Sequence, residues 1–276
     1  MLAFITSLRH PRNSTDYARV EALLAETLAS VSRQTAPYSV WVVGNRRPTR
    51  LAPDVHWVQV DFEAPSTLGG PRTGVAAVLR DKGSKLAAGL LAARGSSPDH
   101  VMFLDADDLV SRRLAQLSAE QPDAPGWRIE HGYRWAGDRG ALRRQPDFHR
   151  HCGSGCVVRT DLYDLPRDLD AGASQAELED RLGDRLERWF GSHLHVADDL
   201  AAAGHPLAPV PFAGALYRVG TGENHSGVSL GGLGRPVSKR LAAEFGIAAT
   251  PLRPGPVARA VLPSRRAVVE RLPWRR

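Results

Sequence analysis

The segment "HVMFLDADD" (100–108) limits the fold more than any other stretch of this 276-residue chain. An apolar run that reads as a buried strand passes straight into three carboxylates, Asp105, Asp107 and Asp108. Like charges repel, and a desolvated carboxylate is costly, so this strand end must face water or a cation. A strand of this kind belongs in a sheet covered on both faces, with its carboxyl end opening on a crevice. On an extended chain Asp105 and Asp107 point the same way, and two carboxylates on one side suit a divalent ion that also binds phosphate. The competing reading is an acidic strand-to-helix junction, with an Asp capping a helix that starts near Val110.

The segments upstream supply the rest of such a sheet. "LAFIT" (2–6) reads as a first buried strand. Val20, Leu23, Leu24, Leu28 and Val31 fall on one face of a helix that ends before Pro37. "YSVWVVGN" (38–45) and "VHWVQVDF" (55–62) read as strands. "GSKLAAGLLAARG" (83–95) reads as a small-residue helix with Gly95 at its C-cap. The order strand, helix, strand, strand, helix, strand predicts an α/β fold: a single domain built on a mostly parallel, Rossmann-like sheet flanked by helices. The main domain is expected over 1–235, with a helical, basic extension over 236–276.

The second half is less regular. "GWRIEHGYRW" (126–135) and "GCVVRT" (155–160) read as strands. Residues 174–190 read as a helix with a capping box, Ser174 and Glu177, and an apolar face of Leu178, Leu182, Leu186, Trp189 and Phe190. "GVSLGGLG" (227–234) reads as a loop.

Charge and cysteine content narrow the function classes. The net charge is +6, and Lys82, Lys85 and Lys239 are the only lysines. That balance favours anionic ligands such as nucleotides or phosphates, or a membrane surface. No basic run interleaves with aromatics before the last dozen residues, which argues against nucleic acid. Two cysteines, Cys152 and Cys156, predict a reducing compartment. With no signal-peptide pattern and no run of 18 apolar residues, the expected location is cytoplasmic. The tail "RAVLPSRRAVVERLPWRR" (259–276) sets arginines among Val, Leu and Trp274, a pattern suited to peripheral contact with an anionic membrane.

Four further motifs carry chemistry. "DKGSKLAAGL" places Lys82 and Lys85 where a phosphate edge is expected. His149, His151, Cys152 and Cys156 lack the paired spacing of a zinc site, whereas Gly153–Ser154–Gly155 suits close approach of backbone to a ligand. "HLHVADDL" (193–200) presents Asp198 and Asp199, either as the acidic first turn of a helix or as a general base. "ENHSG" places His225 in a loop, solvated or completing a metal site.

Taken in order over residues 2–227, these motifs resemble inverting glycosyltransferases of the GT-A fold, most closely glycosyltransferase family 2. "SVSRQT", "DKGSKLAAGL", "FLDADDLV", the "GSG" loop, "ADD" and "ENHSG" carry the resemblance. The chain departs from the family pattern at Asn45, usually acidic, at Ala87, usually Asn, and at Asp198, usually Glu. The resemblance implies a hexosyltransferase-type enzyme that moves a sugar from a nucleotide-sugar donor, with UDP favoured, to an acceptor hydroxyl. It implies a Mn²⁺ or Mg²⁺ cofactor held by Asp107 and His225, with Asp105 on the donor ribose or a metal-bound water. Thr6, Arg9, Asn45, Lys82, Lys85, Gly153 and Ser154 would contact the donor, and Asp199 would be the base. The acceptor would be a glycan, a lipid-linked molecule or a small molecule. The alternatives are a nucleotidyltransferase and an inactive nucleotide-sugar-binding protein. The first usually carries a glycine-rich basic loop after strand one, where this chain has "TSLRHPRNST". Retention of all three acidic and histidine motifs argues against the second.

Overall fold

A computed structural model describes residues 1–68, 73–223 and 227–262. Its elements in chain order begin with β1 (Leu2–Ser7), α1 (Tyr17–Val31), β2 (Tyr38–Gly44), β3 (Val55–Gln59), α2 (Val75–Ala93) and β4 (His100–Asp105). They continue with β5 (Leu109–Val110), α3 (Leu114–Glu120), β6 (Gly126–Arg128), β7 (His131–Ala136), β8 (Ala141–Pro146) and β9 (Cys156–Arg159). The last part holds α4 (Gln175–Leu182), a π-helical turn (Leu186–Gly191), α5 (Val196–Ala202), β10 (Ala208–Pro209), β11 (Ala215–Arg218), β12 (Arg235–Pro236), α6 (Lys239–Phe245) and α7 (Pro254–Val261).

The main sheet runs β10-β6-β9-β4-β1-β2-β3. Its centre is parallel: β1 pairs with β2 on one side and β4 on the other, and β2 pairs with β3. The antiparallel β9 then continues the sheet beyond β4. Alternation along β1 sends Ala3 and Ile5 to the face that carries α2, and Leu2 and Phe4 to the opposite face with α3. All four are buried, so β1 is apolar throughout, as a strand covered on both faces must be. Burying Phe4 contributes about 1.5–3 kcal/mol.

Three sequence expectations are corrected. The stretch 126–135 is two strands rather than one: β6 lies in the main sheet and β7 in a second, five-stranded sheet ordered β12-β8-β7-β11-β5. No helix starts near Val110. Leu109 and Val110 form β5, paired antiparallel with β11, and the helix begins at Leu114. The helix over 174–190 is broken. Ser174 Oγ accepts from Glu177 N–H as its capping signature requires, but α4 stops at Leu182, where Gly183 takes φ +53.

Helix α2 starts eight residues earlier than expected, and it ends at Ala93, with Ser97 rather than Gly95 in the left-handed region. It packs tightly against the π-helical turn. A Cβ on Gly83 would fall 2.4 Å from Leu186 O, and one on Gly191 would fall 2.3 Å from Leu79 O. Small residues at both places let the two backbones touch, which fixes α2 over the carboxyl end of the sheet.

Residues 236–262 pack on the second sheet. Phe245 is wholly buried, Arg113 Nε and Ser111 Oγ donate to Glu244, and α7 lies against β12. Residues 263–276, most of the basic tail, lie outside the described residues. Among the described residues no helix is long and apolar enough to cross a membrane.

Candidate active site

The chain runs from β1 outward through β2 to β3, then returns to lay β4 on the other side of β1. The carboxyl ends of β1 and β4 are therefore the point where the sheet order switches, the usual place for a ligand crevice. A cavity of about 320 Å³ lies there, and Ser7 and Leu8 at the end of β1 and Asp105 at the end of β4 line it.

The three carboxylates after β4 have different surroundings. Asp105 faces Lys82 of α2, whose Nζ donates to its Oδ1 at 2.5 Å. The Gly153 N–H also donates to this carboxylate. Burial alone would raise the Asp105 pKa, but the Lys82 charge and hydrogen bond outweigh it and hold the pKa below the ordinary value. Burial likewise opposes the Lys82 charge, and Asp105 more than offsets it, so the lysine pKa is raised. Glycine at 153 leaves room for this pair: a Cβ would fall 2.5 Å from Asp105 Oδ2 and 2.6 Å from Lys82 Nζ, so both side chains would have to shift.

Asp108 is wholly buried. It accepts from Ser154 Oγ at 2.7 Å, Cys152 Sγ at 2.8 Å and the Arg218 N–H at 3.1 Å. Ser154 Oγ also accepts from the Asp105 N–H at 2.9 Å. Asp108 thus ties the glycine loop and β11 to the strand end, and burial with two neighbouring acids raises its pKa.

Asp107 lines the cavity. Burial, then the Asp105 charge, push its pKa up to about 6, against the opposing pull of Arg218 and Arg9. Burial and the Asp105 charge both disfavour its ionised form, and a bound cation would favour it.

Arg9, Lys82, Asp105, Asp107 and Gly153 are the predicted site residues that line the cavity. The other predicted residues that the structure describes do not line it. Thr6 is buried in β1. Asn45 donates from Nδ2 to Phe62 O at 2.8 Å. Lys85 is wholly buried behind Asp81, and Ser154 is wholly buried beneath the glycine loop. Asp199, near the start of α5, is outside the cavity lining. It accepts from Arg188 Nε and Nη2, both at 2.6 Å, and from Trp189 Nε1 at 2.9 Å, and these bonds, the Arg188 ones foremost, lower its pKa to about 2. Asp198 is 58 % exposed and pairs with Arg150. His225 lies outside the described residues.

Sequence reasoning missed several members of the site. Asp81 lines the cavity from α2. Glu223 also lines it, and accepts from the Thr15 and Asp16 N–H groups at the start of α1. His193 lines it too, kept neutral by burial and by Lys82, with its pKa lowered to about 4. All three stand inside motifs singled out in the sequence, Asp81 in "DKGSKLAAGL", His193 in "HLHVADDL" and Glu223 in "ENHSG", but beside the residues to which a role was given.

Among the described residues, Asp105, Asp108 and Cys152 form the group close enough to share a metal ion, with ligand atoms within 4.8 Å of one another. All three are already engaged: Lys82 pairs with Asp105, Asp108 accepts three hydrogen bonds, and burial with two nearby acids keeps the Cys152 thiol protonated. A hard divalent ion prefers oxygen ligands, and the cavity-facing Asp105 and Asp107 are the donors that fit it.

Fold and crevice together define an α/β protein with an acidic ligand site at the switch point of a mainly parallel sheet. No family model matches the sequence, and no curated protein matches it. Solved structures similar to it include S. aureus TarS 1-349 at 12% identity and a TM-score of 0.40, covering 79% of this chain and 60% of that one. The same TarS 1-349 in complex with UDP matches at 13% identity and a TM-score of 0.42, with the same coverage. A longer S. aureus TarS structure matches at 13% and 0.39, covering 79% of this chain and 36% of that one. The chain therefore spans 60% or less of the length of these proteins.

Proposed function

We propose that this protein is a metal-dependent, inverting glycosyltransferase of the GT-A type, moving a hexose from a nucleotide-sugar donor to an acceptor hydroxyl. The observation that carries the reading is the division among the three carboxylates. Lys82 neutralises Asp105, hydrogen bonds satisfy Asp108, and Asp107 lines the cavity with a pKa of about 6. A strand end built this way is suited to a hard divalent cation that also binds a diphosphate.

Asp107 and Asp105 would hold Mn²⁺ or Mg²⁺, with His225 as a further ligand. When bound, the ion supplies charge stabilisation for the departing diphosphate. Arg9 and Lys82 line the same cavity and add positive charge for the phosphates. Gly153 lets the loop backbone approach the donor. Asp199 is the proposed base. Its Oδ2 accepts two hydrogen bonds and its Oδ1 accepts one, so Oδ1 retains a lone pair for an acceptor hydroxyl. Proton removal there would allow attack from the face opposite the leaving group, which inverts the anomeric centre.

The test is a thermal-shift screen of UDP-, GDP- and dTDP-sugars with and without Mn²⁺, followed by donor hydrolysis. A ligand that binds only the native state must raise the melting temperature. A Mn²⁺-dependent rise with one donor set is expected; no rise with any of them would sink the reading.

A further inference from the structure

Arg143, Arg134 and Tyr217 form a row on one face of the second sheet. Arg134 of β7 stands directly opposite Arg143 of β8 and, on its other side, level with Tyr217 of β11. Side chains in such register project to the same face, on strands about 4.8 Å apart. Tyr217 lines the crevice. So does His151, whose pKa is lowered by burial and then by the Arg134 charge. The row thus leads out of the crevice across β7 to β8, a reach of about 10 Å. Its two arginines lack a counter-charge. Like charges directly opposite each other across two strands are destabilising. Among the described residues no carboxylate pairs with either, and the charges that act on Arg134 are those of Tyr217 and Arg143. Arg143 Nη1 donates to the Leu230 and Gly231 carbonyls. Arg134 is half-buried. Its Nε is shielded without a hydrogen-bond partner, whereas its Nη1 and Nη2, also unbonded, are not sealed from water. Those two outer nitrogens are open to a ligand, and the shielded Nε has given up hydration with nothing in return.

We propose that Arg134, with Arg143 beside it, binds an anionic group on the acceptor, a phosphate or a carboxylate, so that the acceptor lies along this row with its reacting hydroxyl toward the crevice. This rests on the glycosyltransferase reading of the crevice. The outer nitrogens of a guanidinium form a fork that matches either anion. A phosphate monoester carries close to two negative charges at neutral pH and meets two guanidinium groups here, so it is the better match. Arg134 is not part of the crevice lining, where Arg9 and Lys82 face the donor diphosphate instead. The anion at Arg134 therefore belongs to the second substrate.

The test saturates the full chain with UDP and Mn²⁺, which fills the donor crevice, and titrates glycerol 1-phosphate, glycerate and glycerol by calorimetry. All three probes carry hydroxyls, and the first two carry an anion. Glycerol 1-phosphate is expected to bind most tightly, glycerate more weakly and glycerol not at all. Arg134→Gln should weaken both anions on the order of 10- to 100-fold, the range for hydrogen bonds to a charged group, with UDP affinity unchanged. Arg143→Gln, at an exposed position, should weaken them less, and it serves as the test if Arg134→Gln does not fold. A role confined to folding would leave the anion affinities of the folded variants unchanged, which overturns the proposal. So does failure of the loaded protein to bind either anion, or binding of glycerol as tight as that of the anions. Loss of UDP affinity in Arg134→Gln with the anion probes unaffected would assign Arg134 to the donor diphosphate and likewise overturn it. If UDP itself does not bind, the nucleotide reading fails separately, and the same titrations on the unloaded protein decide the anion site alone.

Discussion

Replacing Asp107 with Asn should make the protein more stable and less able to bind its ligand. The Asp107 carboxyl is raised from 3.8 to about 6 by burial and the Asp105 charge. In the folded state its ionised form is therefore disfavoured by about 3 kcal/mol at neutral pH. Water in the crevice screens part of this, so a gain of roughly 1–2 kcal/mol is expected. For a chain of this size that corresponds to about 2–6 °C in melting temperature. The sign follows from proton counts. Between pH 4 and 6 the folded state holds more of this proton than the unfolded chain, so stability falls as pH rises through that window. The penalty is complete above about pH 6, near half its full size at pH 5, and gone below about pH 4. Melting curves of both proteins in EDTA, from pH 5 to 8, should show the Asp107→Asn variant ahead at pH 7.5 and the gap shrinking by about half at pH 5. Mn²⁺-dependent stabilisation by nucleotide should disappear in the same variant. A gap that is absent at pH 7.5 or constant across the range would refute the electrostatic argument. Unimpaired Mn²⁺-dependent binding would refute the metal role.

Three more outcomes follow from the site. Asp199→Asn should cut sugar transfer by roughly 10²-fold or more with nucleotide affinity unchanged, and Asp198→Asn should cost less; the reverse order in initial-rate assays would move the base by one residue. Gly153→Ala should force Lys82 and Asp105 apart and weaken Mn²⁺-dependent UDP binding by on the order of tenfold in calorimetry, with the far-UV spectrum retained. Truncation after residue 262, which spares α7, should abolish co-sedimentation with anionic vesicles if the basic tail is a membrane contact, at about 1 kcal/mol per arginine near the surface; equal recovery in the supernatant with and without the tail ends that idea.

The central strands were legible in the sequence because each is a continuous apolar run, and a strand covered on both faces can hardly be anything else. Positions governed by long-range contacts were not legible. The start of α2 was missed because Arg80, Asp81 and Lys82 break its apolar pattern, yet Asp81 is buried against the end of β1 with Lys85. The split between β6 and β7 was missed because Trp127 and Trp135 are both buried, one in each sheet's core, and nothing local says that the chain changes sheets. Strand β8 was missed because its two exposed arginines, Arg143 and Arg144, dilute its hydrophobic signal. In the site, the acidic strand end was conspicuous. The Arg188 fork on Asp199 and the Cys152 and Ser154 bonds to Asp108 join segments that no sequence spacing connects.

The cost of placing three carboxylates at one strand end is resolved by giving each a different environment. Asp108 is neutralised by burial among donors, and it holds the glycine loop and β11 in place. Asp105 keeps its charge because Lys82 meets it, and Gly153 lets the loop close over that pair. Asp107 lines the cavity, and burial with the Asp105 charge raises its pKa. A sequence selected for stability alone would place an amide there, since Asn keeps the shape and sheds the charge. An acid there makes sense where a bound cation offsets that cost, with Asp105 beside it as the second oxygen donor and Asp108 fixing the strand end on which both stand.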